Sequence, residues 1–377
     1  MNIPKLRFKD NNGNDYPQWE KKKLGDIVQF LDNKRKPLEQ SERIHGKYPY
    51  YGASGIIDYI NNYIFDEELV LLSEDGANII DRNYPICYIA TGKYWVNNHA
   101  HVLKTKSQYL NKFLCEALER LNYNKYNTGT AQPKLNQDIC KNILLNIPIL
   151  HEQEKIANFF STIDKKIKNL ANTITSLENQ KKGLLQQIFS QKLRFKDKNG
   201  NNYPNWKKKK LGDLFTIKAG GDINKENFSE QYSIEFKYPV YANALTNNGL
   251  YGYSNIYKID KPSITVTGRG INVGFALSRE PLYYPIVRLL VLIPNININF
   301  TFFTESINFI HIFNESTGVP QLTAPQLSKV NVYVPNIEEQ NKIGNLFDKL
   351  NEKIDNKKAQ LEHWQQIKKG LLQQMFV

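Results

Sequence analysis

The sequence predicts an α+β fold in which one unit is written twice. Two similar domains are expected, separated by two long antiparallel coiled-coil helices, a direct repeat with pseudo-twofold symmetry. Three observations predict it. Residues 5–26, KLRFKDNNGNDYPQWEKKKLGD, recur at 192–213 as KLRFKDKNGNNYPNWKKKKLGD, identical at 18 of 22 positions at an offset of 187. The same offset joins IPILHEQEKIANFF (147–160) to VPNIEEQNKIGNLF (334–347), and KKGLLQQIF (181–189) to KKGLLQQMF (368–376). A heptad seam runs through each C-terminal flank, and strand-forming runs fill the space between flanks. A solenoid repeats every 20–50 residues or so, so this period marks a duplicated domain with its connector.

Between the flanks the halves diverge. Residues 28–127 and 215–315 share only echoes, such as YPYYGASG near YPVYANAL and EDGANI near GRGINV. The flanks therefore do a job common to both halves, and the centres do two different jobs of one kind.

Each centre reads as strand-rich, with LVLLS (69–73), ICYIA (86–90), SITVT (263–267) and VRLLVLI (287–293) bounded by Asn, Gly and Pro. QYLNKFLCEALERL (108–121) reads as an amphipathic helix, with FTFFTESINFIHIF (300–313) as its counterpart. From Ile156 the apolar positions Phe160, Ile163, Ile167, Leu170, Ile174, Leu177, Leu184 and Ile188 alternate spacings of four and three, with Lys181 in the one gap. The second copy carries Ile343, Phe347, Leu350, Ile354, Leu361, Trp364, Leu371 and Met375, interrupted by Lys357 and Lys368. Helices starting near Glu152 and Glu339 span roughly 58 Å at about 1.5 Å per residue. An antiparallel second helix returns the chain to its origin.

The chain has 377 residues, above the usual single-core size, and its net charge of +13 favours a polyanionic partner. Cys87, Cys115 and Cys140 form no CxxC pair, so a reducing cytoplasm is expected. The start, MNIPKLRFKD, lacks the apolar stretch of a signal peptide, and no run reaches the length of a membrane span.

No GxxxxGK[ST], HExxH, DPPY or NPPF motif occurs, and TGRGINVG (267–274) lacks GxGxxG spacing, reading instead as a strand-to-loop turn with an exposed arginine. No catalytic, cofactor-binding or metal-binding residues are expected. Nucleic-acid contact needs cations for phosphate and forked or amide side chains for base edges. The first centre offers Lys34, Arg35, Lys36, Lys93, Tyr94, Trp95, Asn97, Asn98, and the loop with Thr130, Gln132 and Lys134. His99 and His101 alternate as strand residues, which places both imidazoles on one face. No carboxylate or cysteine stands near them in sequence to complete a metal site. The second centre offers Arg269, Asn272, Arg279, Tyr283, Tyr284, Arg288, and the loop with Thr317 and Gln321. That loop sits at the same place in both halves. The basic runs at 21–23 and 207–210 read as solvated faces or backbone contacts.

The doubled YPxWxxKKLGD opening, the TAQPKL loop, the phrase P-x-x-x-E-Q-x-K-I and the ending KKGLLQQxF together resemble the specificity subunit (HsdS) of type I restriction-modification systems. The resemblance covers essentially the whole chain. It implies target-recognition domains at 1–150 and 192–337, with spacer helices at 151–191 and 338–377. It implies a non-catalytic cytoplasmic subunit that reads a bipartite double-stranded DNA site. Partners would be two methyltransferase subunits, with nuclease subunits joining them, and those partners would carry S-adenosylmethionine, ATP and magnesium. The recognition chain of a methylation-only system, or of one that fuses cleavage with methylation, stays open as an alternative, as does a pure protein scaffold.

Overall fold

A computed structural model describes residues 4–270, 272–310, 312 and 321–376. The chain divides into two compact units, Met1–Ala171 with Ala359–Val377, and Asn172–Lys358. Each unit therefore holds part of both long helices, which run Leu150–Phe189 and Ile337–Met375. Both start two residues earlier than expected. In the second the reason is a cap: Asn336 Oδ1 accepts the Glu339 amide at 3.0 Å, satisfying a first-turn N–H.

The first unit opens on a ribbon in which Glu20–Lys23 pairs antiparallel with Leu144–Ile147. An antiparallel sheet follows, ordered Val28–Phe30, Ala100–Thr105, Leu69–Ser73, Cys87–Ala90. A second sheet is ordered Gly55–Ile60, His45–Gly52, Lys93–Val96, Phe65–Asp66, with its central pair parallel. The strand Leu69–Ser73 explains the uninterrupted apolar run in the sequence. Val70 and Leu72 point into the core shared with the helix Asn111–Arg120, while Leu69 and Leu71 face Phe65, Tyr94 and Val96 of the second sheet. A strand covered on both faces has no polar side to alternate with.

The second unit repeats this plan with almost unrelated residues. Its ribbon is Lys207–Lys210 with Asn331–Val334. Its antiparallel sheet is ordered Phe215–Ala219, Leu290–Pro294, Ser263–Val266, Ala276–Arg279. The second sheet runs Phe228–Ser229, Leu250–Ser254, Tyr238–Tyr241, Tyr284–Pro285, with the equivalent pair, here the last, parallel. The helix Phe300–Ile310 occupies the place of Asn111–Arg120. One difference is topological: the short outer strand lies on opposite edges of the second sheet in the two units.

Several boundaries differ from expectation. VRLLVLI enters its sheet only at Leu290, because Val287 and Arg288 take left-handed backbone angles (φ 50° and 58°) that end any ladder. The lysine runs at 21–23 and 207–210 are strands of two-stranded ribbons; their lysines are mostly exposed, as a solvated face requires, and discourage further edge pairing.

The seams hold together inside each unit. In the first, Phe160 meets Phe376 at 6.0 Å and Asp164 meets Lys368 at 2.8 Å, so the helix segments run antiparallel. In the second, Phe189 lies 6.5 Å from Phe347 and Lys358 pairs with Glu178 at 2.7 Å, giving the same sense. The ends of the seams are not coiled coil alone: Ile156 and Phe160, like Ile343 and Phe347, sink into the domain cores. The seam-breaking lysines have a purpose. Lys368 reaches Glu116 at 3.0 Å and Lys181 reaches Glu305 at 2.6 Å, each a buried carboxylate on the helix of the variable centre. These lysines are equivalent at the 187 offset, so KKGLLQQ is kept twice because it docks a helix end onto a domain twice.

Candidate nucleic-acid interface

Repeated residues build the frame beneath the variable loops. Glu152 and Glu339 open the EQxK phrase, and each is completely buried. Arg7 clasps Glu152 with two hydrogen bonds of 3.0 and 2.7 Å, and Trp19 donates its indole N–H to the same carboxylate at 3.0 Å. Arg194, Trp206 and Glu339 repeat the arrangement at 3.1, 2.7 and 3.1 Å. The following glutamine ties the helix to its domain. Gln153 donates to the Pro148 carbonyl and accepts the Leu110 amide, as Gln340 does with Pro335 and Asn299. The lysine of the phrase then donates to a carbonyl of the opening segment, Lys155 to Lys9 and Lys342 to Lys196. Sequence reading found this phrase as a marker without seeing its arginine and tryptophan partners, which lie 145 and 133 residues away and share no local pattern with it.

On this frame the two units present equivalent loops. The segment after the central strand turns through a glycine with positive φ, Gly76 at 107° and Gly270 at 89°. Only glycine takes that conformation freely. The loop near residues 128–134 and its counterpart then add a bridge, Lys134 to Asp75 and Gln321 to Arg269. Leu135 donates to the Glu74 carbonyl at 2.7 Å, and Leu322 to Gly268 at 2.9 Å.

The expected contact residues separate into two groups. Lys34, Lys36, Lys93, Asn98, His99, Thr130, Gln132 and Lys134 are exposed, as are Arg269 and Arg288, while Asn272 and Gln321 are half-buried. Thr317 lies outside the described residues. The remaining expectations need correction. Tyr94, Trp95, Asn97, His101, Arg279, Tyr283 and Tyr284 are buried, and their polar atoms are largely spent inside the protein. Trp95 donates to the Lys36 carbonyl at 2.6 Å, and Asn97 accepts the His99 amide at 2.8 Å. Tyr283 shares a 2.6 Å hydrogen bond with Ser263, and Tyr284 donates to the Asp222 carbonyl. Arg279 bonds Thr265 and the Asn248 carbonyl and lies 3.8 Å over the Tyr241 ring. Aromatic and arginine residues suit a structural core as well as a base edge, and composition does not separate the two uses. Arg35 is also committed, 2.6 Å from Glu74 and 2.8 Å from the Ala100 carbonyl.

His99 and His101 do not share a strand face. His99 sits in the turn before the strand, with Nδ1 2.9 Å from Asp75, whereas His101 lies within Ala100–Thr105. His101 Nδ1 is 2.7 Å from the Asp32 carboxylate and Nε2 is 2.7 Å from the Leu135 carbonyl. Both partners are acceptors, so both ring nitrogens must donate and the ring is an imidazolium. Burial opposes that charge, but the hydrogen bond to Asp32, helped by Cys140, outweighs it and pushes the His101 pKa up to about 10. Burial likewise opposes ionisation of Asp32, and the bond from His101 nevertheless holds its carboxyl below the usual range. Asp32, Glu74 and His101 group their ligand atoms within 4.8 Å. Arg35 and Lys134 already balance those carboxylates, and neither His101 nitrogen has a lone pair to offer. The donor set therefore fits an ion-pair network that pins the 128–135 loop to the sheet.

This network carries a signed pH dependence. A raised histidine pKa contributes stability that is full below its ordinary 6.5 and is lost as pH rises through about 10. The Asp32 contribution is present above the ordinary carboxylate pKa and is lost as pH falls below it. The stability difference between wild type and His101→Gln, measured by urea unfolding, is thus expected to be widest near pH 6 and to shrink by pH 9.5. A difference that does not vary with pH contradicts the imidazolium.

No described helix is long and apolar enough to cross a membrane. A family model described as "Type I restriction modification DNA specificity domain" matches twice, at residues 16–179 and 203–364. A type I specificity subunit of Mycoplasma pneumoniae is 27% identical over 334 residues, covering 87% of this chain and 88% of its own. The specificity subunit of the type I restriction enzyme MjaVIII of Methanocaldococcus jannaschii is 23% identical over 411 residues, covering 97% and 94%. The crystal structure of a type I restriction-modification S subunit from M. genitalium superimposes with a TM-score of 0.71 at 19% identity, covering 100% of this chain and 99% of that one.

Proposed function

The chain belongs to the type I restriction-modification DNA specificity family, and from that membership we propose that it is the non-catalytic recognition and scaffold subunit of a methyltransferase complex. Residues 1–150 and 192–337 are the two recognition domains, each reading one half of a split double-stranded site. Two methyltransferase subunits dock on surfaces built from the repeated segments, and nuclease subunits join them. S-adenosylmethionine, ATP and magnesium reside in those partners. One observation carries the reading: two units share the strand order of their first sheet, the same clamps at an offset of 187 and matching loop bridges, yet present unlike exposed side chains from corresponding loops. That pattern suits one frame that reads two sequences.

Single-molecule sequencing of methylated bases in cells with and without this chain tests the proposal. A split motif of two short blocks around an unspecified spacer is expected only when the chain is present. Methylation that persists unchanged without it contradicts the proposal.

A further inference from the structure

The strand registers align the units residue by residue. Leu72 faces His101 as Val266 faces Leu290, and the Asn97 amide bonds the Tyr51 carbonyl at 3.0 Å as the Ile286 amide bonds Tyr241 at 2.9 Å. Counting back two residues from His101 and Leu290 sets His99 opposite Arg288 in the alignment. The bridges from Lys134 to Asp75 and from Gln321 to Arg269 set Asp75 opposite Arg269. One pair of loop positions therefore holds an acid with a histidine in the first unit and two arginines in the second.

The two pairs differ in charge balance. Asp75 and His99 satisfy each other at 2.9 Å, and the adjoining Glu74 takes Arg35 and Lys134. In the second unit the counterpart of Glu74 is Gly268, where an added Cβ would lie 2.8 Å from the Arg288 carbonyl and 3.1 Å from that of Leu322. No carboxylate fits there. Both Arg269 and Arg288 are exposed on adjoining backbone, and among the described residues neither guanidinium has a partner. Arg288 is also held at φ 58° behind Val287 at 50°, conformations that side-chain-bearing residues adopt at a cost. Two cations that lack a partner among the described residues, on a turn with left-handed backbone, suit an acceptor supplied by a ligand.

We propose that Arg269 and Arg288 are specificity-determining residues of the second unit and that they read guanine through its O6 and N7 acceptors in the major groove. Guanine is the base edge with two acceptors side by side, which matches a guanidinium fork. The assignment rests on the DNA-recognition reading above and adds to it a base identity and a unit.

The test uses the full chain in complex with its methyltransferase subunits, carrying Arg269→Ala or Arg288→Asn; asparagine tolerates the left-handed backbone at 288. Methylated motifs are mapped by single-molecule sequencing, and affinities for matched and substituted duplexes are measured across salt concentrations. Each variant is expected to accept other bases at a guanine position in one block only, with discrimination falling roughly tenfold or more. The other block stays unchanged, which also reports intact folding and assembly. The same motif with undiminished discrimination in both variants overturns the assignment. So does an equal loss on all sequences with a shallower salt dependence, which marks phosphate contacts. A wild-type complex that marks no split motif removes the recognition reading itself, and this assignment with it.

Discussion

Glu339→Ala is expected to destabilise the second unit by about 3–5 kcal/mol, the usual cost of removing one member of a buried ion pair. The carboxylate is fully buried and accepts two bonds from Arg194 and one from Trp206. Its loss leaves a guanidinium and an indole N–H facing a cavity that neither alanine nor solvent fills well. The clamp also joins the opening segment of the unit to the start of its long helix, so the loss loosens the frame under the loops rather than one surface contact. Glu339→Gln keeps one oxygen that can still accept Arg194 Nη2 and Trp206 Nε1, while its NH2 faces Arg194 Nε and the charge is lost, so it is expected to cost less than alanine but more than nothing. Glu152→Ala should give a matching loss in the first unit, because Arg7 and Trp19 repeat the geometry. Urea unfolding followed by tryptophan fluorescence measures all three. A loss below about 1 kcal/mol for the alanine variants is the scale of an exposed pair and contradicts the role given to this clamp.

Much of the fold was legible because it depends on local pattern. Heptad spacing located both long helices, and apolar runs located the strands Leu69–Ser73 and Ser263–Val266. The repeat itself announced two units of one design. What sequence could not show was pairing at long range. Glu74 and Asp32 lie 27 and 69 residues from His101, so the histidine looked free for nucleic acid when it was already committed. Lys181 and Lys368 looked like defects in a seam until their glutamates came into view across the helix. Arg269 was correctly read as an exposed turn residue, since a glycine on each side announces the turn. Its match to Asp75 was hinted at by the echo of EDGANI in GRGINV, but only the loop bridges and hydrogen bonds fix it.

The second large effect concerns specificity. Between clamps that are the same in both halves, residues 28–127 form both four-stranded sheets of the first unit and its helix Asn111–Arg120, leaving the flanking ribbon, the 128–135 loop and the long-helix ends in place. Replacing that segment with the first centre of another family member keeps Arg7, Trp19, Glu152 and Lys368 in place. Helix docking also needs a carboxylate at the position of Glu116, so the donor should be chosen to carry one. The hybrid should then assemble as before and read a new block of bases.

The central claim is that one unit reads one block, and the methylated motif of this hybrid tests it most directly. The account predicts that one block changes completely while the other block keeps every base. A hybrid that assembles yet changes both blocks, or neither, contradicts it.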